Sequence, residues 1–371
     1  MGRALSSFAV VALLGCGSTD CGTGADDAAA PSREGDARDA RFAAMTLNIA
    51  NGAGDSFRTA ESRTRQGGFI ARMSVDVVAM QEVDIGVDRS GDVDTVAGVA
   101  SAVASGFERC TFEIEGAPHV RRDGTRLARC AGGAIAFGIG FRADDRFAAA
   151  SNGAPSGIMD GDTSLNPTGV DRGEDAFYGN ALLVRAPWGI DASYTVALPI
   201  SEAGPNLPSG VLDRLARGDL DDDVVADLAV HNEAVRRQQG IEPRSVLVAR
   251  IRLGTAPSFS VLSTHLESGG TKALRDAQLG AVVAVARAEQ LRSRNRVVVM
   301  GDFNMPASGA TPGMVAAGFV HAAPPNAEAD IDQIWVDGTL AVEAVARPPT
   351  EGVSDHAVAP TATLRPVIGD R

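Results

Sequence analysis

The chain has 371 residues, and 44% of them are hydrophobic, so it can bury a sizeable core as one large domain or two small ones. Its formal net charge of −13 repels polyanions at long range and argues against a basic module that coats nucleic acid. A metal-dependent hydrolase stays compatible with this charge, because a bound cation supplies positive charge locally.

The chain begins with a predicted export signal, which is followed by a tether. Residues 1–15 carry one basic residue ahead of an apolar stretch that is too short to span a bilayer. The stretch ends in LLGC, which resembles the lipobox of bacterial lipoproteins and implies cleavage before Cys16 and lipidation of its thiol. Residues 16–40 lack large apolar side chains and predict a flexible tether. A plain secretory signal and an N-myristoylation site at MGRALS are the alternatives.

Both export routes predict a mature protein outside the cytoplasm, either anchored to the membrane of the cell envelope by its lipid or secreted. Cys110 and Cys130 are the predicted disulfide pair in such an oxidising compartment. A bridge that closes a loop of this size adds about 3 kcal/mol to the free energy of unfolding.

Short apolar runs of strand length recur from residue 41 onward and predict a mixed α/β domain over residues 41–371. In chain order the predicted strands are FAAMTLNIA, VDVVAMQEV, AGGAIAFGIGF, YGNALLVRA, SVLVARIRL, SFSVLSTHL, RVVVMGDFN and DQIWV. The clearest helix spans residues 272–292, where apolar side chains recur at spacings of three and four. A weaker helix, TAESRTRQGGFIARM, contains Gly67 and Gly68.

Two segments interrupt this pattern. Residues 143–175 are rich in Gly, Asp, Asn and Ser and predict a long loop. Residues 200–243 predict a helical insertion over one face of the domain. The sequence contains no internal repeat and no linker that would divide the chain after residue 40, so a single domain is predicted.

Polar side chains occur where several predicted strands end or begin. In NRVVVMGDFNM, Asp302 and Asn304 follow a valine run, and alternation along a strand would point both to one side, with Phe303 on the other. A carboxylate without a partner is costly to bury, so this side predicts a polar cleft. Similar positions are held by Asn48, Glu82, His265, Asp332, Asp355 and His356. Each alone has an ordinary explanation as a turn or surface residue, whereas the set predicts an active site.

The ordered motifs TLNIANG, VVAMQEVD, YGNALLVR, STHLES, VVVMGDFN, IDQIWV and VSDHAV resemble the endonuclease/exonuclease/phosphatase superfamily over about residues 41–365. That group includes deoxyribonuclease I, exonuclease III, neutral sphingomyelinases and inositol polyphosphate 5-phosphatases. The resemblance implies a four-layer αββα sandwich, in which two packed mixed β-sheets are flanked by helices. It also implies that the active site lies at one edge of the sandwich.

The resemblance assigns metal binding to Glu82, with Asn48 beside it and Asp355 as a further contact. Oxygen ligands of this kind suit Mg²⁺ or Mn²⁺, whereas zinc would favour His and Cys. A hard cation would neutralise the charge that develops when a phosphodiester is attacked.

The resemblance also assigns catalytic roles. Asp302 and Asn304 match the pair that positions the attacking water and the phosphate, and Asp332 with His356 matches a hydrogen-bonded carboxylate–imidazole pair. His265 matches a second histidine that could steady the transition state or protonate the leaving oxygen. Both His356 and Asp302 are candidates for activating water.

Candidate contacts to the substrate phosphate come from two other segments. Asn180 lies in YGNALLVR, which fits a common bacterial pattern of the superfamily. Arg121 and Arg122 lie with two further arginines inside the Cys110–Cys130 loop and could grip phosphates that flank the scissile one. The other interpretation of this loop is a solvated hairpin with ordinary surface charges.

The sequence thus predicts an exported, Mg²⁺- or Mn²⁺-dependent phosphoesterase, which we expect to be a monomer. Its substrate would be a phosphodiester, in a nucleic acid or in a phospholipid head group. A surface-tethered binding protein that keeps the fold without turnover is one alternative, and a phosphomonoesterase of the inositol phosphatase kind is another. The sequence leaves open the natural substrate, the number of metal ions, and exo or endo action.

Overall fold

The computed structural model describes residues 41–50, 55–86, 90, 93–110, 121–142, 177–202, 207–236, 243–256, 258–292 and 296–367. The predicted signal, Cys16, the tether and the predicted loop at 143–175 lie outside the described residues. Residues 203–206 and 237–242 of the predicted insertion also lie outside them.

Thirteen strands and six α-helices are found in the described part of the chain. The strands are β1 (Phe42–Asn48), β2 (Val77–Ile85), β3 (Thr125–Cys130), β4 (Gly133–Arg142), β5 (Phe177–Arg185), β6 (Trp188–Ala197), β7 (Ser245–Leu253), β8 (Phe259–His265), β9 (Arg296–Asp302), β10 (Phe319–His321), β11 (Asp332–Asp337), β12 (Leu340–Ala346) and β13 (Thr361–Pro366). The helices are α1 (Ala60–Met73), α2 (Thr95–Val103), α3 (Ser209–Arg217), α4 (Asp222–Arg236), α5 (Lys272–Leu291) and α6 (Ala307–Ala316).

The strands form two mixed sheets. The first has seven strands in the order β12-β13-β1-β2-β5-β4-β3, and the second has six in the order β10-β11-β9-β8-β7-β6. β1 and β2 are parallel in the first sheet, and β8 and β9 are parallel in the second. Because parallel strands run in the same direction, both strands of each pair end at the same edge of their sheet. This arrangement brings strand-terminal side chains together.

One apolar core lies between the two sheets. Phe42 and Leu182 of the first sheet belong to the same buried cluster as Leu247 and Phe259 of the second. The ring centroids of Phe42 and Phe259 are 4.8 Å apart in an edge-to-face arrangement. The two sheets are therefore packed face to face.

Helices cover the outer face of each sheet. On the first sheet, Phe69 of α1 and Val99 of α2 share a core with Met80 of β2. On the second sheet, α3, α4, α5 and α6 share a core with the outward-facing side chains of β7, β8 and β9. The predicted four-layer αββα sandwich is confirmed, and the predicted insertion is helical where it is described.

Gly67 lies in α1, the weaker of the two predicted helices, at the point where α1 packs against α2. α1 contains Gly67, and a Cβ added there would lie 2.3 Å from the carbonyl oxygen of Val99 in α2. Only a residue without a side chain allows this close approach. Gly67 therefore lowers the helix propensity of α1 but permits its packing against α2.

The predicted disulfide between Cys110 and Cys130 is present, with the two Cα atoms 5.2 Å apart. It joins the segment that follows α2 to the end of β3. Within the described residues, no helix combines the length and the apolar composition needed to cross a membrane.

Candidate active site

The two parallel strand pairs deliver polar side chains to one place. Asn48 is the last residue of β1, and its Cα partner in β2 is Gln81, the neighbour of Glu82. His265 and Asp302 are the last residues of β8 and β9, and they are Cα partners. Asp332 begins β11 opposite Asp302 on the other side of β9. Strand termini and register therefore bring these side chains together.

Glu82 reaches the site through a β-bulge. β2 does not end at Glu82, because the strand continues to Ile85, and its register with β5 shifts between Met80 and Val83. Glu82 has a φ of 58° in the left-handed region, which costs a non-glycine residue about 1–3 kcal/mol. The bulge re-aims the carboxylate, so that Glu82 Oε1 accepts a 2.9 Å hydrogen bond from Asn48 Nδ2.

The amide group of Asn48 lies at the centre of the cluster. Besides its contact with Glu82, Asn48 Nδ2 is 3.2 Å from Asp302 Oδ2 and 3.3 Å from His356 Nε2. Asn48 Oδ1 accepts a hydrogen bond from the backbone amide of Ala50 at 2.9 Å, which fixes the orientation of the side chain. Asn48 is almost fully buried, so the cluster is held in a low-dielectric setting.

Asp302 is buried among other carboxylates. Its side chain accepts hydrogen bonds from the backbone amide of Asn304, at 2.8 Å, and from Asn48. Burial and the nearby charge of Asp332 raise the pKa of Asp302 to about 7, although His356 opposes the shift. A carboxyl group with this pKa exchanges protons near neutral pH.

Asp332 and His356 form the predicted carboxylate–imidazole pair. His356 Nδ1 lies 2.5 Å from Asp332 Oδ2, and His356 Nε2 lies 3.6 Å from Asp302 Oδ2. Burial works against the charged imidazole, but the hydrogen bond and charge of Asp332, with the charges of Asp302 and Asp355, raise the pKa of His356 to about 10. His356 is therefore protonated at neutral pH and acts there as a hydrogen-bond donor.

His265 is in a different electrostatic setting. Its Nε2 is 3.3 Å from Asp302 Oδ2, and Arg244 Nη1 is 2.9 Å from its Nδ1. Burial, then the charges of Arg244 and His356, lower the pKa of His265 well below its ordinary value. The two histidines of the site thus differ in charge at neutral pH. Arg244 was not among the predicted site residues, because an arginine that precedes an apolar run resembles any charge at the start of a strand.

Asn304 departs from the alternation that the sequence suggested. β9 ends at Asp302, and Asn304 has a φ of 46° in the left-handed region. It turns back so that its backbone amide binds Asp302 while its Nδ2 donates to the carbonyl of Leu266 at 2.8 Å. Asn304 and Asp302 are therefore adjacent through a local turn. Phe303 packs into the core on the outer face of the second sheet, as predicted.

Two further predicted residues lie around this cluster. Asp355 is exposed, with Ser354 Oγ 3.5 Å from its Oδ1, and its charge acts on Asp332 and His356. Asn180 is buried in β5 opposite the bulge, and its Nδ2 donates to the carbonyl of Ser245 at 2.8 Å. Asn180 thus bridges the two sheets beside Arg244.

The predicted phosphate-binding arginines lie at the edge of β6. Arg121 Nη2 is 2.7 Å from Asp123 Oδ2 and also donates to the carbonyl of Ser193, while Arg122 is exposed. Asp123 in turn accepts from the backbone amide of Thr195 at 3.3 Å. These contacts cap backbone groups on the outer edge of the second sheet, so the described geometry gives Arg121 a partner in the fold.

The donor set of the cluster suits a hard divalent cation. Asp302, Asp332 and His356 offer ligand atoms that lie within 4.8 Å of one another, and Asp332 Oδ1 is buried with no hydrogen-bond partner. Three carboxylates, including that of Glu82, face one imidazolium, so the cluster has an excess of negative charge. Carboxylate and amide oxygens are the ligands that Mg²⁺ and Mn²⁺ prefer. A protonated His356 has no lone pair at Nε2, which favours carboxylate oxygens, such as those of Glu82, as ligands.

Comparison with known proteins agrees with the fold and the order of motifs. A model of the Endonuclease/Exonuclease/phosphatase family matches residues 45–356. No curated protein sequence matches the chain.

Solved structures with a similar fold include the human Nocturnin catalytic domain with bound sulfate, at 14% identity and a TM-score of 0.51, covering 88% of this chain and 95% of that one. The endonuclease/exonuclease/phosphatase from Bacteroides vulgatus is 14% identical at a TM-score of 0.50, and the match covers 88% of this chain and 100% of that one. A family protein from Leptotrichia buccalis C-1013-b is 12% identical at a TM-score of 0.50, with 87% and 99% covered. At such identities the likeness shows the fold alone.

Proposed function

This chain belongs to the endonuclease/exonuclease/phosphatase family, and we propose that it is a divalent-metal-dependent phosphoesterase that hydrolyses a phosphodiester by in-line attack of an activated water. The proposed substrate class is a nucleic acid or a phospholipid head group. The observation that carries the proposal is the convergence of five polar side chains at one edge of the sandwich: Asn48, Glu82, Asp302, Asp332 and His356.

Glu82 would hold the cation, with Asn48 beside it, and the cation would neutralise charge on the phosphoryl and leaving oxygens. The excess of negative charge in the cluster supports this assignment, because two like carboxylates buried together are costly unless a cation lies near them. The strained backbone at Glu82 supports it as well, since strain of this kind persists where the surrounding structure holds a side chain for a purpose.

Asp302 is the proposed general base. Its pKa of about 7 allows it to accept a proton from water at neutral pH, whereas His356 already carries its proton there. The backbone amide of Asn304 binds Asp302 Oδ1 at 2.8 Å, which leaves Oδ2 to face Asn48, His265 and His356. The geometry thus favours one of the two bases that the sequence left open.

His356 is the proposed cationic donor. Asp332 holds its Nδ1, so that Nε2–H faces Asp302. An imidazolium in this place can donate a hydrogen bond to a phosphoryl oxygen and stabilise the charge that develops in the transition state. His265, on the other side of Asp302, would donate to the same region or assist the leaving oxygen.

An activity panel with matched metal conditions tests the proposal. The full chain, purified in detergent, would be assayed on plasmid DNA, sphingomyelin, bis-nitrophenyl phosphate and inositol phosphates, with Mg²⁺, with Mn²⁺ and with EDTA. We expect turnover of at least one diester that is abolished by EDTA and restored by Mg²⁺. Turnover restricted to inositol phosphates would favour a phosphomonoesterase, and binding without turnover of any substrate would favour a non-catalytic binding protein.

Export and anchoring through Cys16 remain part of the proposal. The LLGC ending of the apolar stretch and the Cys110–Cys130 disulfide support it, because disulfides persist in oxidising compartments. Labelling with a radioactive fatty acid tests it: the native chain should incorporate label and Cys16→Ser should not. Absence of label from the native chain, or equal labelling of both, would exclude lipidation of Cys16.

A further inference from the structure

Arg244 contacts the site from behind His265. Arg244 immediately precedes β7 and is 5% exposed. Its Nη1 lies 2.9 Å from His265 Nδ1 and 3.4 Å from His265 Nε2. No sequence motif pointed to this residue, and the cation at the back of the imidazole affects what the ring can donate.

The backbone at Arg244 is held from its own sheet and from the facing sheet. The amide of Leu198 donates to the Arg244 carbonyl at 2.8 Å, and Asn180 Nδ2 in the other sheet donates to the carbonyl of Ser245 at 2.8 Å. These two bonds fix the point from which the guanidinium extends.

The guanidinium is also held at its other end. Arg244 Nε lies 3.5 Å from Glu267 Oε2, and Glu267 Oε1 accepts from the amide of Gly269 at 2.9 Å. The amide of Glu267 donates to Gln278 Oε1 of α5 at 2.8 Å. Arg244 is therefore tied through Glu267 to a helix of the outer layer, so the cation that faces His265 is anchored.

The contacts of the two ring nitrogens determine the tautomer of His265. A guanidinium only donates hydrogen bonds, so the nitrogen nearest Arg244, Nδ1, must carry a lone pair. On the other side, Nε2 lies 3.3 Å from Asp302 Oδ2, which accepts. A donor at Nδ1 and an acceptor at Nε2 select the ring that is protonated at Nε2.

We propose that Arg244 is a positioning residue that holds His265 as the Nε2-protonated tautomer, with that proton aimed at Asp302 and the reaction cleft. The proposal rests on the proposed phosphoesterase function, because it specifies how His265 serves that reaction. The site then has two different imidazoles, with His356 held by a carboxylate and His265 held by a cation. Partners of this kind, one contact away from the reacting groups, change activity by about 10- to 100-fold when they are removed.

Two substitutions separate positioning from a merely structural role. Arg244→Lys keeps a group that only donates, so it should retain the tautomer and recover most of the activity. Arg244→Gln can accept from Nδ1–H as well as donate to Nδ1, so it no longer selects one tautomer. We expect kcat on bis-nitrophenyl phosphate to fall about 10- to 100-fold in Arg244→Gln, with KM changed less than about threefold.

Arg250→Gln is the matched control. Arg250 lies on β7 itself, is 6% exposed and is ion-paired with Glu289, whose carboxylate is 2.8 Å from its Nη2. This variant also loses a buried cation, but it leaves the reaction cleft untouched. Its kcat should stay within about twofold of the wild type after correction for the folded fraction.

Nitrogen NMR of His265, assigned with His265→Gln, provides a readout that does not need turnover. We expect the Nε2-protonated pattern in the metal-free wild type and in Arg244→Lys, and a mixture of tautomers in Arg244→Gln. An unchanged tautomer and wild-type kcat in Arg244→Gln would overturn the proposal. An equal fall in kcat in Arg244→Gln and in Arg250→Gln would also overturn it. If the wild type turns over none of the substrates, the proposed function fails while the NMR experiment still tests the role of Arg244.

Discussion

Glu289 and Asp302 are both carboxylates with almost no exposed surface, at 0% and 1%, yet their surroundings are opposite. Glu289 of α5 accepts from Tyr194 Oη at 2.9 Å and from Arg250 Nη2 at 2.8 Å, and Arg292 adds a second cation at 3.1 Å. Burial raises the pKa of Glu289, but the charge and hydrogen bonds of Arg250 outweigh it and lower the pKa.

The imidazolium that faces Asp302 is already paired with another carboxylate, because His356 Nε2 lies 3.6 Å from Asp302 Oδ2 whereas its Nδ1 lies 2.5 Å from Asp332 Oδ2. Burial and the Asp332 charge raise the pKa of Asp302 to about 7. Two residues beside it in the site, Glu82 and Asn304, have positive φ. Burial alone therefore does not mark a functional carboxylate. A buried carboxylate with matched cations supports the fold, whereas one crowded by like charges and strained neighbours indicates a site that is prepared for a ligand.

The largest expected contrast is in activity and stability after each carboxylate is neutralised. Asp302→Asn should lower kcat by at least about 10³-fold, because it removes the base, and should cost less than about 1 kcal/mol of stability. Glu289→Gln should lower the free energy of unfolding by about 3 kcal/mol, because it leaves two arginines unmatched, and should retain kcat. Initial rates and urea unfolding measure both. Equal losses of stability in the two variants would contradict the division into a carboxylate of the site, Asp302, and a carboxylate that supports the fold, Glu289.

The pH profile of Asp332→Asn sharpens the account of the site. Asp332 helps to raise the pKa of His356 to about 10, and the proposed mechanism uses the protonated imidazole. Without that carboxylate the pKa of His356 falls, so activity should be lost at a lower pH on the alkaline side, with kcat about 10²-fold lower at neutral pH. The profile of kcat against pH, measured with Mg²⁺, checks this. An alkaline limb at the same pH in variant and wild type would contradict the pairing.

A smaller effect is expected on cation binding. Glu82→Gln should weaken Mg²⁺ affinity by about 10- to 100-fold, because it removes the charged oxygen ligand. Calorimetric titration measures the affinity, and Glu61→Gln, which removes an exposed carboxylate of α1, is the control that should bind as the wild type does. Unchanged affinity in Glu82→Gln would exclude Glu82 as a ligand.

The pH dependence of stability should have opposite signs for the two carboxylates. In EDTA, folded Asp302 binds its proton more tightly than the unfolded chain does, so its contribution is present at low pH and is lost as pH rises through about 7. The lowered pKa of Glu289 gives a contribution that is present near neutral pH and is lost as pH falls into the acid range. Urea unfolding across this pH range gives the difference in the free energy of unfolding between each neutralised variant and the wild type. Plotted against pH, this difference should have slopes of opposite sign for the two variants. Parallel slopes would mean that the two environments are not different.

Much of the fold and of the site followed from the sequence for a physical reason. Apolar runs predict buried strands, and a polar group that ends such a run needs a polar partner, which made Asn48, His265 and Asp302 candidates for one cluster. The longest amphipathic stripe gave α5 almost to the residue, at Lys272–Leu291. The four-layer architecture was predicted from the order of the motifs, through the resemblance to the superfamily, because the pattern of apolar residues alone does not specify it.

The features that were missed depend on tertiary pairing. β12 has a mostly exposed burial pattern and β3 is an edge strand, so neither carries a strong apolar signal. The bulge at Glu82 and the turn at Asn304 come from register and from contacts with Leu266, which alternation cannot reveal. The long-range partner of Arg121, the carbonyl of Ser193 in β6, comes close only once β3 lies against β6, which the sequence does not show. The assignments to Cys16 and to the first forty residues stay predictions.

The most direct measurement is anomalous diffraction from a crystal soaked in Mn²⁺. In the proposed site, the side chains at the ends of β1 and β9 and at the bulge of β2 surround a single cation-binding pocket. We expect a manganese peak in contact with Glu82, beside Asn48 and Asp302, which is lost in Glu82→Gln. A manganese peak at another place on the wild-type protein, with no density in this cluster at saturating Mn²⁺, would contradict it.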